Sequence, residues 1–502
     1  MYYIGYDLGS SSIKAALVNA ASGKVLGLAQ YPETEMEIKS PKTGWAEQDP
    51  NLWWDYLGIL TQKLIRQTGV SKTTIKGVGI AYQMHGLVLV DKDLEVLRPS
   101  IIWCDSRAAG IGNKVFGDLG EDACMQHLLN SPGNFTLSKL KWVKDNEPSL
   151  FEKVDKFMLP GDFIALKLTG EATTTISGLS EGIMWDFKTN TPALWLFEHL
   201  GIDTSLIPRM VPTFSVQGSV TKTAAKATGL PSGIPILYRA GDQPNNALSL
   251  NVLRPGQIAA TGGTSGVVYA VTDHQQSLES LRINNFAHVN YTPDTPLIGK
   301  LLNINGAGIQ YSWMKQHVLG AQSYEVMNSM AANVPIGAEG LRVVPFGNGV
   351  ERMLNNGNDG AAIFNLNFNK HQVGHLFRAA LEGIAFSFVY GVNIMKRDGV
   401  KVGNIRAGND NLFRSEIFAT TLATLIDSEI DILDTTGAIG AARAAGVSMG
   451  DFKSLEDVFS DNEKVCTYAP ISDKGPYSEA FQLWEQDLNQ RYLNNLKHSI
   501  HQ

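Results

Sequence analysis

Two segments about half a chain apart share one pattern, in which a strand-like run ends in a turn of glycine and hydroxyl residues. The first covers residues 4–14 and the second residues 258–269. Glycine lets the backbone approach a bulky anion closely, and free N–H groups and Ser or Thr hydroxyls then bind its oxygens. One such turn would be weak support, but a pair predicts a duplicated fold that binds a polyphosphate from two sides. Phosphoryl transfer is therefore the leading hypothesis.

The composition is that of a globular protein of low charge. The chain has 502 residues, of which 44% are hydrophobic and 18% charged, so two or three domains with large cores are expected. The formal net charge of -7 argues against nucleic-acid binding, because that needs a basic surface. A small anionic ligand is still compatible with this net negative charge, because local N–H groups and magnesium can make its binding site positive.

The cysteines and the apolar runs bear on the compartment. Cys104, Cys124 and Cys466 are far apart and show neither metal-ligand spacing nor a disulfide framework, which indicates a reducing environment. The N-terminus enters a strand directly, without the pattern of a signal peptide, and no apolar run is long enough to span a bilayer. We therefore expect a cytoplasmic protein that binds neither membranes nor nucleic acid.

Periodicity and turn signals predict strands and helices along the whole chain, with a domain boundary near residue 242. Asp49 before Pro50 predicts a helix start, since Asp is a good N-cap and Pro suits the first helical position. Residues 437–446 are mostly Gly and Ala, which predicts a tightly packed helix. The main predicted strands are 2–8, 13–19, 24–30, 75–81, 87–91, 236–240 and 402–407, and the main predicted helices are 50–66, 247–253, 370–390, 411–426 and 437–446.

Two aspartates follow strands at the places where chemistry is expected. Asp7 ends the first strand and faces the turn, where its carboxylate could bind magnesium directly or through water. The alternative is an Asp that caps the turn by accepting hydrogen bonds from backbone N–H groups. Asp242 comes directly after the strand 236–240, where open α/β sheets bind ligands. It would be the general base toward an acceptor hydroxyl, and the alternative is an N-cap for a helix that begins near Pro244.

Polar residues also follow two apolar stretches, and both could line a polyol pocket. Met84 and His85 interrupt a β-rich run, although a packed Met and a hydrogen-bonded His explain them equally well. Trp103 suits the apolar face of a sugar and Asp105 could bind its hydroxyls. The alternative for the second stretch is a turn in which Asp105 pairs with Arg107 at the surface.

Two later segments concern the nucleotide and the assembly. The turn at 406–411 follows a strand and precedes a helix, so it could hold the purine end of a nucleotide. A helix cap at Asn409 or Asp410 is the alternative. Residues 477–499 predict an amphipathic helix with Phe481 and Trp484 on its apolar face, docked on the body or on a second subunit. A homodimer is therefore left open.

Together these segments resemble the FGGY family of carbohydrate kinases, in the actin-like ATPase superfamily. Residues 7–12 and 263–266 are similar to the first and second phosphate motifs of the family, and residues 375–386 to its C-terminal signature helix. Residues 44–50 are also typical of the family. The order of these four segments along the chain is the same as in the family, and that shared order is highly specific. The resemblance implies an α/β fold of two actin-like (ribonuclease H-like) ATPase domains, 1–241 and 242–502, with a ligand cleft between them.

Within the family, residues 83–88 and 102–107 look like the substrate segments of the xylulokinase subgroup. That likeness implies phosphorylation of D-xylulose by ATP with Mg²⁺, with Asp242 as proton acceptor and Asp7 needed for catalysis and magnesium binding. The predicted sugar contacts are Met84, His85, Trp103, Asp105 and Asn246. The predicted nucleotide contacts are Gly9, Ser10, Ser11, Ser12, Lys14, Gly263, Thr264, Ser265, Gly306, Gly408 and Asn409.

The chain departs from the subgroup pattern in two places. Gln243 follows Asp242 where xylulokinases commonly have Asn, and Arg406 and Ala407 stand where glycine-rich adenine loops are usual. A family kinase for ribulose or gluconate is therefore one alternative. The other is a nucleotide-gated binding protein like actin or the heat-shock chaperone ATPases, against which Asp242 with Met84 and His85 argues.

Overall fold

Two mixed β-sheets form the frame of the molecule. The computed structural model describes residues 1–318, 320, 323–409, 411–460 and 462–499, with the backbone alone for 411 and 492–499. The first sheet has five strands, in the order Ile236–Gly241, Ile75–Tyr82, Tyr2–Leu8, Ile13–Asn19 and Val25–Tyr31. The second has seven, in the order Asn284–Ala287, Ile298–Ile304, Gly266–Thr272, Ile258–Gly262, Ile405–Gly408, Ile430–Leu433 and Lys464–Tyr468.

Both sheets contain the same five-strand arrangement. The strand that leads into the first turn, Tyr2–Leu8, pairs antiparallel with Ile13–Asn19 and parallel with Ile75–Tyr82. The strand that leads into the second turn, Ile258–Gly262, pairs antiparallel with Gly266–Thr272 and parallel with a later strand in the same way. Each turn therefore lies at the carboxyl edge of its sheet, where α/β folds bind ligands.

Helices cover the sheets. Asp49 caps the first long helix by accepting from the N–H of Asn51, as predicted, and Gly69 ends it in a left-handed conformation with φ of 66°. No helix in the described part of the chain is both long and apolar enough to cross a membrane. The helices of eight or more residues are Pro50–Thr68, Ala109–Leu119, Thr136–Asn146, Pro160–Thr169, Asp242–Ser249, Gly308–His317, Tyr324–Ala332, Val373–Arg397, Glu416–Ile426, Gly437–Ser448 and Gly475–Ser499.

The helix Gly437–Ser448, which we call the small-residue helix, lies directly on the first sheet. A Cβ atom at Gly5 would be 2.0 Å from the carbonyl oxygen of Ala438, and one at Gly79 would be 2.0 Å from that of Ala441. Only glycine on the strands permits this approach. The boundary near residue 242 stays a prediction, and this late helix packs with the first half of the chain.

One predicted helix has other bounds in the structure, and the predicted tail helix is present. The helix predicted at 247–253 is instead Asp242–Ser249, and the chain leaves it through Asn251 in a left-handed conformation with φ of 55°. The tail helix docks on the body, where buried Trp484 donates from Nε1 to the carbonyl oxygen of Val343 at 2.8 Å. The predicted apolar face of the tail continues through Tyr492 and Leu496, whose side chains lie outside the described residues.

Candidate active site

Two carboxylates stand at the centre of the site. Asp7 lies near the end of Tyr2–Leu8, and Asp242 is the first residue of its helix, directly after Ile236–Gly241. Both strands run parallel to Ile75–Tyr82 between them, so their carboxyl ends share one edge. Burial raises the pKa of Asp242 to about 7, and the charge of Asp7 acts in the same direction. Two carboxylates close enough for the charge of one to raise the pKa of the other favour a shared proton or a bound cation.

The small-residue helix closes the site on the side of Asp7. A Cβ atom at Gly437 would lie 2.4 Å from Oδ2 of Asp7 and 3.3 Å from Nδ2 of Asn245. Asn245 donates from Nδ2 to the carbonyl oxygen of Gly437 at 2.9 Å. The first turn of this helix therefore faces a carboxylate, which its dipole stabilises. The sequence did not reveal Gly437 or Asn245, because a run of small residues suggests packing alone.

The first turn is a tight hairpin held from below. The N–H of Gly9 donates to the carbonyl oxygen of Ser12 at 3.1 Å, and Nε2 of buried Gln48 donates to that of Ser10 at 2.7 Å. Half-exposed Trp103 comes to the same turn, with its Nε1 3.4 Å from Oγ of Ser10. The structure thus brings Trp103 beside the first turn. The predicted phosphate contacts that are exposed here are Ser11 and Lys14.

The second turn rests on the start of the helix Gly308–His317. The N–H of Gly308 donates to the carbonyl oxygen of Gly263 at 3.1 Å, and that of Ile309 donates to Thr264 at 3.0 Å. A Cβ atom at Gly308 would lie 2.3 Å from the oxygen of Gly263, so the approach needs glycine. Thr264 is exposed and Ser265 is partly exposed. A bulky anion can therefore reach this turn.

Gly306 has a supporting position under that turn. It is buried, and a Cβ atom on it would lie 2.3 Å from the carbonyl oxygen of Pro345. Its N–H donates to Oε2 of buried Glu351 at 3.2 Å. The close approach of two backbones thus explains this glycine without direct contact to a ligand.

A cavity of about 480 Å³ opens beside the second turn, a size typical of small-molecule sites. Within it, the hydroxyl of Tyr311 donates to Oδ1 of Asn328 at 2.9 Å, and its ring stacks on Tyr324. The sequence did not reveal these residues, because they lie on two ordinary amphipathic helices. The lining residues are Gly262, Gly263, Thr264, Gly308, Ile309, Tyr311, Ser312, Tyr324, Glu325, Asn328, Leu381, Leu412, Arg414 and Ser415.

The predicted purine turn lies next to this cavity, and its neighbours line it. Gly408 ends the strand Ile405–Gly408, and the carbonyl oxygen of Asn409 accepts from Nε of Arg414 at 3.1 Å. Arg414 lines the cavity, whereas Gly408 and Asn409 are not among the lining residues. Asp410, named above as a helix cap, lies outside the described residues. The roles of Gly408 and Asn409 stay predictions.

On the other side of the carboxylates, His85 has a defined protonation state. Its backbone is left-handed, with φ of 61°, and its Nδ1 lies 2.8 Å from the carbonyl oxygen of Glu181. Because a carbonyl only accepts, Nδ1 carries the hydrogen and Nε2 is the acceptor. Burial, aided by the positive charge of Lys139, lowers the pKa of His85 to about 3. His85 is therefore a neutral hydrogen-bond acceptor.

Met84 and Glu181 connect this side of the site to Asp242. A Cβ atom at Gly241 would lie 2.3 Å from Oε2 of Glu181 and 2.6 Å from Cγ of Met84. Both side chains therefore lie against the residue that precedes Asp242. Burial, and then the charge of Asp242, raise the pKa of Glu181 well above its ordinary value. Nothing in the local sequence distinguishes Glu181, which ends the short helix Ile176–Glu181.

Two of the predicted sugar contacts are occupied by protein partners. Oδ2 of buried Asp105 accepts from the N–H of Ala46 at 2.6 Å and from Nη2 of Arg107 at 2.7 Å. This favours the alternative of a pair with Arg107, although the pair is buried rather than at the surface. Asn246 donates from Nδ2 to Oγ1 of Thr261 at 3.1 Å, which joins its helix to the second sheet.

Comparison with known proteins decides the family. Residues 2–249 match the N-terminal domain of the FGGY family of carbohydrate kinases, and residues 258–449 match its C-terminal domain. The chain belongs to the FGGY family of carbohydrate kinases. The duplicated sheets, with a phosphate-type turn on each and two carboxylates at the first, are therefore the frame of a carbohydrate kinase. The predicted fold class of two actin-like domains is confirmed.

The chain is similar over its whole length to several kinases of this family. It is 27% identical to the xylulose kinase of Bacillus subtilis over 97% of this chain and 98% of that protein. It is 28% identical to the xylulose kinase of Escherichia coli over 90% and 91%. The alignment with the structure of a xylulose kinase from Rhodospirillum rubrum covers 100% of both chains, with a TM-score of 0.87 and 26% identity. A gluconate kinase from Lactobacillus acidophilus has the same TM-score at 21% identity, so the fold alone does not specify the sugar.

Proposed function

We propose that this kinase transfers the γ-phosphoryl group of ATP to D-xylulose and releases D-xylulose 5-phosphate. One observation carries the proposal: Met84 and Glu181 lie against Gly241, the residue directly before Asp242. A hydroxyl bound beside Met84 and His85 would thus be close to the carboxylate of Asp242, which itself adjoins Asp7. The likeness to xylulose kinases supports a ketose as substrate.

The residues fit both proposed cofactors. The cavity beside the second turn has the size of a small-molecule site, and Gly263, Gly308 and the exposed Thr264, whose hydroxyl can bind a phosphate oxygen, line it. Asp7, with Asp242 beside it, matches the one or two carboxylates by which proteins hold magnesium near phosphates. When bound, MgATP supplies the phosphoryl group and neutralises the charge that develops during transfer.

The protein's own groups have distinct roles in the proposed reaction. Asp242 accepts the proton of the attacking hydroxyl, and a pKa of about 7 suits a base that works near neutrality. Neutral His85 accepts a hydrogen bond from a sugar hydroxyl through Nε2, and Trp103 covers an apolar face of the sugar. The N–H groups of the two turns orient phosphate oxygens, so electrostatic positioning supplies most of the catalysis.

Two organisational features belong to the same proposal. We propose that residues 1–241 carry the sugar site and the first turn, and that residues 242–502 carry the base, the second turn and the nucleotide cavity. The small-residue helix is the exception, since it packs on the first sheet. A homodimer stays a prediction, which light scattering after gel filtration would test.

The substrate is tested by a competition among sugars. The wild-type enzyme is incubated with MgATP and equimolar D-xylulose, D-ribulose, L-ribulose, gluconate and glycerol, and the products are identified by mass spectrometry. We expect D-xylulose to have the highest kcat/KM, with the phosphate on its terminal carbon by NMR. Because Gln243 replaces the Asn common in xylulokinases, ribulose and gluconate are the informative competitors. Preferential phosphorylation of either would overturn the assignment of D-xylulose and keep the family.

A further inference from the structure

A buried lysine joins the two segments proposed to contact the sugar. Lys139 lies in the helix Thr136–Asn146 and its side chain is shielded from solvent. Its Nζ donates to the carbonyl oxygen of His85 at 2.9 Å and to that of Ile102, next to Trp103, at 2.9 Å. One ammonium group thus bridges two segments that are separate in the sequence.

The residues just before Lys139 contact the same two segments. Nδ2 of Asn134 donates to the carbonyl oxygen of Asp105. The ring of Phe135 stands edge-on to the imidazole of His85, with 4.9 Å between the ring centroids. Segment 134–139, which we call the bracket, therefore holds the backbone of both segments and one face of His85. Of the three side chains, Lys139 alone contacts both segments.

The chemistry of Lys139 is costly for a purely structural residue. Burying an ammonium group without a full counter-charge is unfavourable, and a methionine would fill a similar volume without that cost. Carboxylate Asp105 compensates in part, but it is already bound to Arg107. The clearest gain lies at His85, whose left-handed backbone is an unfavourable conformation that needs external contacts to persist.

We infer that Lys139 is a positioning residue of the sugar site, which sets the distance between His85 and Trp103 without touching the sugar. The inference rests on the proposed roles of His85 and Trp103, and it does not depend on which sugar is the substrate. Lys139 should therefore govern sugar affinity and sugar discrimination, and leave the nucleotide side of the cleft unaffected.

The test compares two lysines of one helix. Lys139→Met keeps the volume and removes the donors, and Lys141→Met alters a residue that pairs with Asp145 on the outer face. With the sugar that the wild-type enzyme phosphorylates best, we expect Lys139→Met to raise the sugar KM by about tenfold or more, since two buried carbonyls lose their donor. The KM of ATP and its calorimetric affinity should change by less than about twofold. Lys141→Met should alter neither constant.

A merely structural role would give a different result. Equal increases in the KM of sugar and of ATP, or a lower melting temperature with unchanged kinetics, would overturn the inference. If Lys139→Met does not fold, Lys139→Gln is measured, because its amide retains two N–H donors on a shorter chain. Because Nε2 of Gln is one bond nearer to Cα than Nζ of Lys, its donors fall short of the two carbonyl oxygens, so a sugar KM above wild type with an unchanged ATP KM supports the positioning role. An unchanged sugar KM, despite the displaced donors, overturns it. Since the best sugar is chosen by experiment, failure of the D-xylulose assignment leaves this test intact.

Discussion

The two sides of the cleft are built from different kinds of polar group. On the side where we propose that the sugar binds, His85, Lys139 and Glu181 are ionisable and buried. Burial shifts the pKa of each in the direction that favours its neutral form. On the proposed nucleotide side, the N–H groups of Gly308 and Ile309 fix the second turn, which places the exposed Thr264 beside an open cavity. The polar groups of the first side are set by protonation states and by contacts between distant residues. Those of the second side are set by the path of the backbone.

This difference matches the two ligands that we propose. A phosphate chain is recognised by its charge, and backbone N–H groups provide donors that do not titrate. Sugars differ from one another in the positions of similar hydroxyls, so a sugar site needs fixed acceptors and donors in known protonation states. Asp7 and Asp242 stand where the two sides meet, and the charge of Asp7 contributes to the raised pKa of Asp242.

The largest expected effect is at this junction. Asp242→Asn should lower kcat by about 10²- to 10⁴-fold, because the amide keeps the shape but cannot accept a proton. Calorimetry should find sugar and nucleotide affinities close to wild type. Asp93→Asn, the same change at an exposed residue, is the control and should leave kcat unchanged. A near-normal kcat in Asp242→Asn would remove this residue from the role of base.

A smaller loss is expected when the small-residue helix is pushed away from Asp7. Gly437→Ala would place Cβ 2.4 Å from Oδ2 of Asp7, so the helix or the carboxylate must move. We expect kcat/KM to fall by up to about 10²-fold, which is the cost of displacing a catalytic group by about 1 Å. Gly117→Ala, in the interior of an exposed helix with no atom near its Cβ, should keep full activity. It should also raise the free energy of unfolding by about 0.4–1 kcal/mol. If both variants are equally active, the contact between Gly437 and Asp7 does not matter for catalysis.

The nucleotide side should respond more weakly and through ATP alone. Asn328→Ala removes the acceptor of the Tyr311 hydroxyl in the cavity wall. One lost hydrogen bond corresponds to a rise of about two- to tenfold in the KM of ATP, with the sugar KM unchanged. Asn333→Ala, at the exposed end of the same helix, serves as the control. A rise in the sugar KM of Asn328→Ala would show that the two sides are not independent.

The last expected effect concerns stability and its dependence on pH rather than catalysis. Asp242 has a pKa of about 7 in the folded protein and about 3.9 in an unfolded chain, so the folded state binds its proton more tightly. Its stabilising contribution is complete below pH about 4 and is lost as the pH rises to about 7. The stability of the metal-free wild type relative to Asp242→Asn should therefore decrease between these values in chemical denaturation. If the difference in stability between the wild type and Asp242→Asn does not change with pH, the pKa of Asp242 in the folded protein is the ordinary one.

Asp105 and Asp242 show how far local sequence can go. Both follow a strand and both suggested a site, yet Asp105 is buried against Arg107 and the N–H of Ala46, whereas Asp242 adjoins Asp7. The same local pattern thus produces an ion pair in one place and a candidate base in the other. The partner of Asp105 is only two residues away and was open to a local prediction, whereas Asp7 reaches Asp242 from a distant part of the chain, which no local pattern contains.

The sequence by itself determined the duplicated strand-and-turn pattern, the first three strands, the helix that Asp49 caps and the family. These features are local, since glycine turns, caps and alternating hydrophobicity act over a few residues. Only the tertiary structure decided that Gly437 meets Asp7, that Glu181 and Met84 flank Gly241, and that Lys139 bridges His85 and Ile102. Each of these contacts joins residues far apart in the chain, because the parallel strands and the helix that covers them bring distant segments to one edge of a sheet.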